Sequence, residues 1–192
     1  MEKSLKGTTT EQNLLKAFAG ESQARNRYEF FASRAKKEGF EQIAAIFQET
    51  ANQEKEHAKR FFSFLEGGMT EITASYPAGK VGTTKENLKA AAEGENEEWT
   101  KLYPMFAETA REEGFPEVAT AFKMISKVEA EHDRLYLKLL QNISTDQVFM
   151  KKSKVWWKCL NCGYVYESEQ ALDNCPACQH PKSFMQLREE NY

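Results

Sequence analysis

Residues 35–57, AKKEGFEQIAAIFQETANQEKEH, align without a gap on residues 110–132, AREEGFPEVATAFKMISKVEAEH, and this repeat decides the fold. The two copies lie 75 positions apart (132 − 57 = 75), and each ends in the motif Glu-x-x-His. Residues three apart share one face of a helix, so each Glu and its His can hold one metal ion or two neighbouring ions. The sequence therefore predicts a duplicated helical hairpin that carries a dinuclear metal site.

Helix caps and glycines divide the N-terminal part of the chain into four helices. Thr8, Thr9 and Thr10 supply N-cap oxygens for the first helix, and Gly39 offers its C-cap. Residues 67–84 lack helical periodicity and form a crossover connection. Two hairpins joined by one crossover are typical of an all-α, ferritin-like four-helix bundle. The predicted helices are 10–38, 41–65, 85–112 and 116–142.

Seven candidate metal ligands lie on the core-facing lines of these helices. For an arbitrary Glu-x-x-His, a solvated helix face is the commoner interpretation. Here the apolar stripes place the glutamates inside, where uncompensated carboxylates would take up protons, so cations must neutralise them. Oxygen-rich sites with imidazoles suit iron or manganese, and this pattern is that of di-iron carboxylate bundles. The ligands are Glu21, Glu54, His57, Glu95, Glu98, Glu129 and His132.

The repeat also predicts a role for each ligand. By symmetry, Glu54 and Glu129 bridge the two metals, whereas Glu21 and Glu95 bind from outside and His132 is a terminal ligand. Glu98 aligns with a glutamine in the first copy (98 − 75 = 23), so one metal has a choice between Glu98 and His57. We therefore predict that these two ligands exchange with oxidation state. The alternative for Glu98 is a hydrogen bond to another ligand.

One residue breaks the register of the repeat beside the predicted site. Tyr28 and Tyr103 keep the offset (103 − 28 = 75), whereas Glu21 and Glu95 do not (95 − 21 = 74). A single π-bulge between Glu95 and Tyr103 would absorb the extra residue. Both tyrosines are close enough to the ligands to donate hydrogen bonds to terminal carboxylates, although satisfied core tyrosines are equally common.

A second, small domain of short β-strands is predicted after the bundle, which divides the chain into 1–150 and 151–192. Its four cysteines form two Cys-x-x-Cys knuckles that should bind one metal ion, and spacing alone favours zinc. The sequence CGYVY at 162–166 instead resembles the first knuckle of a rubredoxin, which holds iron. Gln179-His180 after the second knuckle departs from that pattern and leaves a zinc ribbon open, and His180 is predicted to lie on the surface. The ligands are Cys159, Cys162, Cys175 and Cys178, and the candidate aromatic cluster is Trp157, Tyr164, Tyr166 and Phe184.

Composition narrows the possible partners and compartment. The 192 residues carry a net charge of −3 without a basic stripe, which argues against nucleic acid as a partner. No apolar run reaches the ~18 residues of a membrane helix, and the first residues do not resemble a signal peptide. Because all cysteines belong to the knuckles and thiolate ligands persist best in a reducing compartment, a cytoplasmic protein is predicted.

Over nearly its whole length, the chain resembles the rubrerythrin family, notably in AGESQA at 19–24 and EKEHAKR at 54–60. The resemblance implies a non-haem di-iron peroxidase that reduces hydrogen peroxide to water and serves in oxidative stress defence. It implies that all seven bundle ligands hold two iron ions and the four cysteines a third. It further implies a head-to-tail homodimer and electrons from an NAD(P)H-dependent reductase or a rubredoxin, since no dinucleotide fingerprint is present.

Two alternatives to the peroxidase remain open. The first is a ferroxidase that stores iron. The four-cysteine module argues against it, because iron storage needs no electron-donating site on the same chain. The second is a metal-stabilised interaction protein with zinc in the knuckles.

Overall fold

The protein, as a computed structural model describing residues 3–191, is a four-helix bundle followed by a small antiparallel sheet. The ends of the two predicted domains, Met1, Glu2 and Tyr192, lie outside the described residues. Helix α1 packs on α2, and α3 and α4 pack on α5, so the two predicted hairpins build the bundle within one chain. None of the helices described is long and apolar enough to cross a membrane. The helices are α1 (Thr9–Lys37), α2 (Glu41–Phe62), α3 (Thr84–Glu97), a π-helix (Glu98–Leu102), α4 (Tyr103–Glu112) and α5 (Pro116–Ser144).

Both hairpin turns use the same glycine geometry. Gly39 (φ 82°) and Gly114 (φ 78°) adopt the left-handed conformation that favours glycine after a helix. In the first turn, the N–H of Phe40 then donates to the carbonyl of Ala35 at 2.9 Å. Helix α2 ends at Phe62, three residues before the predicted end (65 − 62 = 3), because the chain tightens there into turns with hydrogen bonds three residues back.

The predicted π-bulge is confirmed as the π-helix between α3 and α4. It absorbs the extra residue, so the helix continues in register beyond it as α4. Helix α5 holds the bulge in place: Ser126 Oγ donates to the carbonyl oxygen of Trp99 at 3.2 Å, and Trp99 Nε1 donates to Asp133 Oδ2 at 3.0 Å.

Each hairpin caps the first helix of the other with an equivalent glutamate (113 − 38 = 75). The backbone N–H of Thr84 donates to Glu38 Oε2 at 2.9 Å, and that of Thr10 donates to Glu113 Oε2 at 2.8 Å. Hydrogen bonds from Thr10 lower the pKa of Glu113. Burial acts to raise the pKa of Glu38, but hydrogen bonds from Thr84 outweigh it and lower this pKa as well. The two carboxylates therefore hold the hairpins together as anions.

Replacing Glu113 with alanine should lower the free energy of unfolding by about 1–2 kcal/mol, because the N–H groups of Thr9 and Thr10 at the start of α1 lose their acceptor while the N-cap Thr8 remains. A carboxyl group whose pKa is lowered by folding stabilises the protein at pH values above its unfolded-state pKa, 4.5 here. This stabilisation is lost as the pH falls through the folded-state pKa. The difference from the unmodified protein should therefore shrink below about pH 4. Urea unfolding followed by circular dichroism measures this effect. Glu112→Ala, on the exposed neighbour, is the control, and equal losses in both variants would contradict the capping role.

The C-terminal sheet consists of β1 (Met150–Cys159), β2 (Val165–Gln170) and β3 (Met185–Leu187), in the order β2-β1-β3, with a 3-10 turn over Lys182–Phe184. Trp157 is fully buried, and its Nε1 donates to the carbonyl of Ser168 at 3.0 Å. Tyr166 and Phe184 pack against this core as predicted. Tyr164 is 37% exposed and its ring stacks on Tyr166 with centroids 5.8 Å apart, so it lies at the edge of the predicted aromatic cluster.

Candidate metal centres

Six of the seven predicted ligands converge at the middle of the bundle. Their donor atoms form two groups that each lie within 4.8 Å. Glu54 and Glu129 belong to both groups, which is the arrangement expected of bridging carboxylates. The first group is Glu21, Glu54, His57 and Glu129, and the second is Glu54, Glu95, Glu129 and His132.

These donors fit divalent cations because they are buried and several of their atoms have no well-aligned hydrogen-bond partner, although the Nδ1 atoms of His57 and His132 lie 2.8–3.2 Å from the carboxylates. Glu21 and Glu129 are fully buried and Glu54 is 1% exposed. A buried polar atom without a partner costs about 1–3 kcal/mol, so several at one point indicate a missing positive charge. The unpartnered atoms are Glu21 Oε2, Glu54 Oε1, both carboxylate oxygens of Glu129, and His132 Nδ1.

The electrostatics of the cluster without cations support the same conclusion. Burial is the largest cause that raises the pKa of Glu21 and Glu95 well above the usual value, and neighbouring carboxylates raise it further. Burial acts to lower the pKa of His57 and His132, but the carboxylates of Glu129 and Glu54 raise it to about 10 and about 9. Protons thus take the place that cations would fill.

Two tyrosines hold the outer carboxylates across the bundle. Tyr28 donates to Glu95 Oε1, and Tyr103 donates to Glu21 Oε1. The predicted hydrogen bonds are therefore confirmed, and each joins a tyrosine of one hairpin to a glutamate of the other. Burial raises the pKa of both phenols, so they remain protonated donors at neutral pH.

The Tyr103→Phe variant should bind ferrous iron in the bundle about 10- to 100-fold more weakly, because Glu21 loses the group that orients it. Competition with a chelator measures the affinity. Tyr76→Phe is the matched control, since that hydroxyl donates to the backbone carbonyl of Lys16 at 2.7 Å and not to a ligand. Equal affinity in the two variants would contradict the orienting role.

Glu98 lies beside the two donor groups and belongs to neither. Its carboxylate borders a cavity of about 350 Å³ under the crossover, together with Gly20, Tyr76 and Tyr103. A Cβ atom at Gly20 would lie 3.8 Å from Glu98 Oε1, so Gly20 borders this carboxylate closely. Of the two candidates for one metal position, the structure thus brings His57 into the cluster, and exchange with Glu98 stays a prediction.

Two further residues were not identified from the sequence. Gln53 Oε1 lies 2.9 Å from His132 Nε2, although the glutamine is on the exposed side of its helix. Buried Asp133 accepts hydrogen bonds from Trp99 and from Asn96 Nδ2, the latter at 2.9 Å. The sequence feature that could have identified them is their position, since each is next to a predicted ligand in the chain.

The four cysteine sulfurs form a third donor group, also within 4.8 Å. Cys159 and Cys178 sulfurs are 3.8 Å apart, and those of Cys162 and Cys175 are 3.5 Å apart. A metal–sulfur bond of about 2.3 Å in a tetrahedron gives sulfur separations of about 3.8 Å, so the site fits one tetrahedral ion.

The second knuckle has the same backbone shape as the first despite its different sequence. Gly163 (φ 78°) and Gln179 (φ 62°) are both left-handed, and each N–H bonds back to the first cysteine of its knuckle. His180 is not simply a surface residue as predicted: its ring packs edge-on against Phe184 with centroids 4.7 Å apart.

Comparison with known proteins identifies family matches for both parts of the chain. The family model "Rubrerythrin" matches residues 12–140, and the model "Rubrerythrin, rubredoxin-like domain" matches residues 157–186. Rubrerythrin of Porphyromonas gingivalis is 64% identical over 192 residues, which is 100% of this chain and 96% of that protein. Rubrerythrin of Nitratidesulfovibrio vulgaris is 54% identical over 185 residues, 96% and 97% of the two chains. The fully reduced, all-ferrous structure of nigerythrin has a TM-score of 0.64 at 29% identity and covers 97% of this chain and 90% of its own.

Proposed function

The chain belongs to the rubrerythrin family of di-iron oxidoreductases, and we propose that it is a peroxidase that reduces hydrogen peroxide to water in oxidative stress defence. The observation that carries the proposal is the presence on one chain of a buried carboxylate and imidazole cluster and a four-thiolate site. The carboxylate and imidazole cluster suits a two-electron reaction, and the four-thiolate site suits the supply of electrons one at a time. A storage protein has no need of the second site.

In this proposal, six residues would hold two ferrous ions, and Glu98 would take the place of His57 as a ligand to ferric iron, because a ferric ion favours carboxylate. When bound, the two ions supply the two electrons of the reaction H2O2 + 2 H+ + 2 e− → 2 H2O and become ferric. The six residues are Glu21, Glu54, His57, Glu95, Glu129 and His132.

The surrounding residues orient the ligands, exclude water and admit the small substrate. The rings of Phe61 and Phe122, both fully buried, stack 4.8 Å apart on one side of the cluster. The cavity beside Gly20 and Glu98 supports access for a molecule the size of peroxide. Tyr103 borders that cavity and donates to Glu21, so its phenol is a candidate proton donor.

Electrons are proposed to pass from an NAD(P)H-dependent reductase or a rubredoxin to the cysteine-bound iron and then to the bundle. We also propose a cytoplasmic location, where a reducing environment preserves thiolates. We also propose a head-to-tail homodimer, in which a second copy would cover some of the large apolar side chains exposed on the helices. These side chains are Phe30, Phe62, Met105, Met124 and Leu137.

The experiment that tests the peroxidase is anaerobic stopped-flow mixing of the fully reduced protein with peroxide and, separately, with oxygen. We expect oxidation of the bundle iron to be faster with peroxide at equal concentration. Faster oxidation by oxygen would contradict the proposal and would favour the ferroxidase.

A further inference from the structure

The two halves of the di-iron site differ in how their histidines are held on the side away from the metals. We infer that Gln53 anchors His132, whereas Val128, its counterpart in the repeat, leaves His57 unanchored and so makes His57 the ligand that exchanges. This inference rests on the ligand exchange in the proposed function. It explains why one histidine is fixed and the other is replaceable.

The anchor of His132 is direct. Gln53 Oε1 lies 2.9 Å from His132 Nε2, while His132 Nδ1 lies 2.8 Å from Glu129 Oε2 inside the cluster. With the amide oxygen of Gln53 facing the ring, this oxygen accepts from Nε2–H, and Nδ1 is the nitrogen that faces the metal position. The hydrogen bond therefore fixes the ring with its Nδ1 lone pair towards the metal position.

On the metal side, the two histidines are nearly equivalent. His57 Nδ1 lies 2.9 Å from Glu54 Oε2 and 2.9 Å from Glu129 Oε1. His132 Nδ1 lies 3.2 Å from Glu54 Oε1 and 2.8 Å from Glu129 Oε2. Contacts inside the cluster therefore do not explain why His57 should be the one to leave.

The difference lies at the other ring nitrogen. The residue equivalent to Gln53 is Val128 (128 − 53 = 75), whose side chain cannot accept a hydrogen bond. Within residues 3–191, His57 Nε2 has no hydrogen-bond partner. The His57 side chain is also more exposed, at 13% against 6% for His132. Rotation of His57 away from a metal would therefore break no second hydrogen bond to another protein group.

The incoming ligand stands on the same side as the unanchored histidine. A Cβ at Gly20 would lie 3.8 Å from Glu98 Oε1, and His57 is among the charged groups close enough to act on the Glu98 carboxyl group. The repeat is thus broken at two positions that we infer to act on one metal. Glu98 stands where the first copy has a glutamine, and Val128 stands where the first copy has Gln53. Together they would make that position the exchangeable one.

Two variants and two matched controls test the inference. Val128→Gln adds the missing acceptor, and Val128→Leu keeps the position apolar. Gln53→Val removes the existing acceptor, and Gln53→Glu keeps one and should rescue its loss. In protein loaded with Zn²⁺ as a diamagnetic probe, NMR should show one slowly exchanging ring Nε2 proton, that of His132. Val128→Gln should add a second such proton, and Gln53→Val should remove the first.

The iron-loaded protein then shows whether these hydrogen bonds change the exchange of His57 for Glu98. Crystal structures of the reduced and peroxide-oxidised states should show His57 replaced by Glu98 in the unmodified protein and in Val128→Leu. Val128→Gln should retain His57 after oxidation. Gln53→Val should weaken metal retention at the His132 position by about 10- to 100-fold in chelator competition, and Gln53→Glu should restore it.

The outcomes separate this inference from the proposed function. If the unmodified protein keeps His57 in both states, the exchange itself is wrong, and the inference is wrong with it. If exchange occurs normally but Val128→Gln forms the new hydrogen bond and still exchanges, only the inference is wrong. Failure of Val128→Gln to produce a second slow proton would also overturn it, because position 128 would then not face His57.

Discussion

Replacing Glu129 with alanine is expected to empty the bundle of iron and to reduce peroxide consumption by more than about 100-fold. Glu129 is the carboxylate on α5 that belongs to both donor groups, and its two oxygens lie 2.9 Å from His57 Nδ1 and 2.8 Å from His132 Nδ1. Loss of a group that only orients a ligand costs about 10- to 100-fold, so loss of a shared ligand should cost more. Because the variant also removes a buried acidic group, the metal-free bundle should still fold.

Iron analysis and peroxide assays of the Glu129→Ala protein measure this effect, and Glu131→Ala is the control. Glu131 lies on the same helix two residues further on, with its side chain 64% exposed and paired with Arg134. Iron in the cysteine site should remain in both variants. A Glu129→Ala protein with the iron content and rate of the control would contradict the assignment of the cluster.

The second large effect is expected from the cysteine site. Removing one of its buried ligands, as in Cys175→Ala, should abolish the red colour of ferric iron held by four thiolates. Oxidation of pre-reduced bundle iron by peroxide should continue within about threefold, because the bundle ligands are untouched. Continuous turnover with an NAD(P)H-dependent donor should fall by more than about 100-fold, since re-reduction loses its route.

Protein with zinc in the cysteine site provides the control for misfolding of the small domain. Zinc holds the same tetrahedral site but has no redox chemistry. We therefore expect it to preserve the fold of the sheet and to give the same loss of turnover as Cys175→Ala. Full turnover in the zinc-containing protein would contradict the role of this site as the electron relay.

Much of the site was predictable because its ligands follow the helical period of the sequence. Helical spacing fixes which side chains share a face, and the repeat then pairs the ligands Glu54 and Glu129 across the bundle. A one-residue difference in spacing was sufficient to predict the π-helix before Tyr103, because an α-helix cannot absorb an extra residue in register.

The features that were missed depend on contacts between separate elements. Glu38 and Glu113 cap helices of the opposite hairpin, which no local pattern specifies. Gln53 lies on the exposed side of its helix, where polar residues are ordinary, so its bond to His132 is visible only after packing.

The central claim is that buried carboxylates persist in this bundle because two iron ions compensate their charge. Elemental analysis of the protein produced with ample iron tests it most directly. We expect three iron ions per chain, one for each donor group. A single iron or zinc ion per chain, matching only the four cysteines, would contradict it.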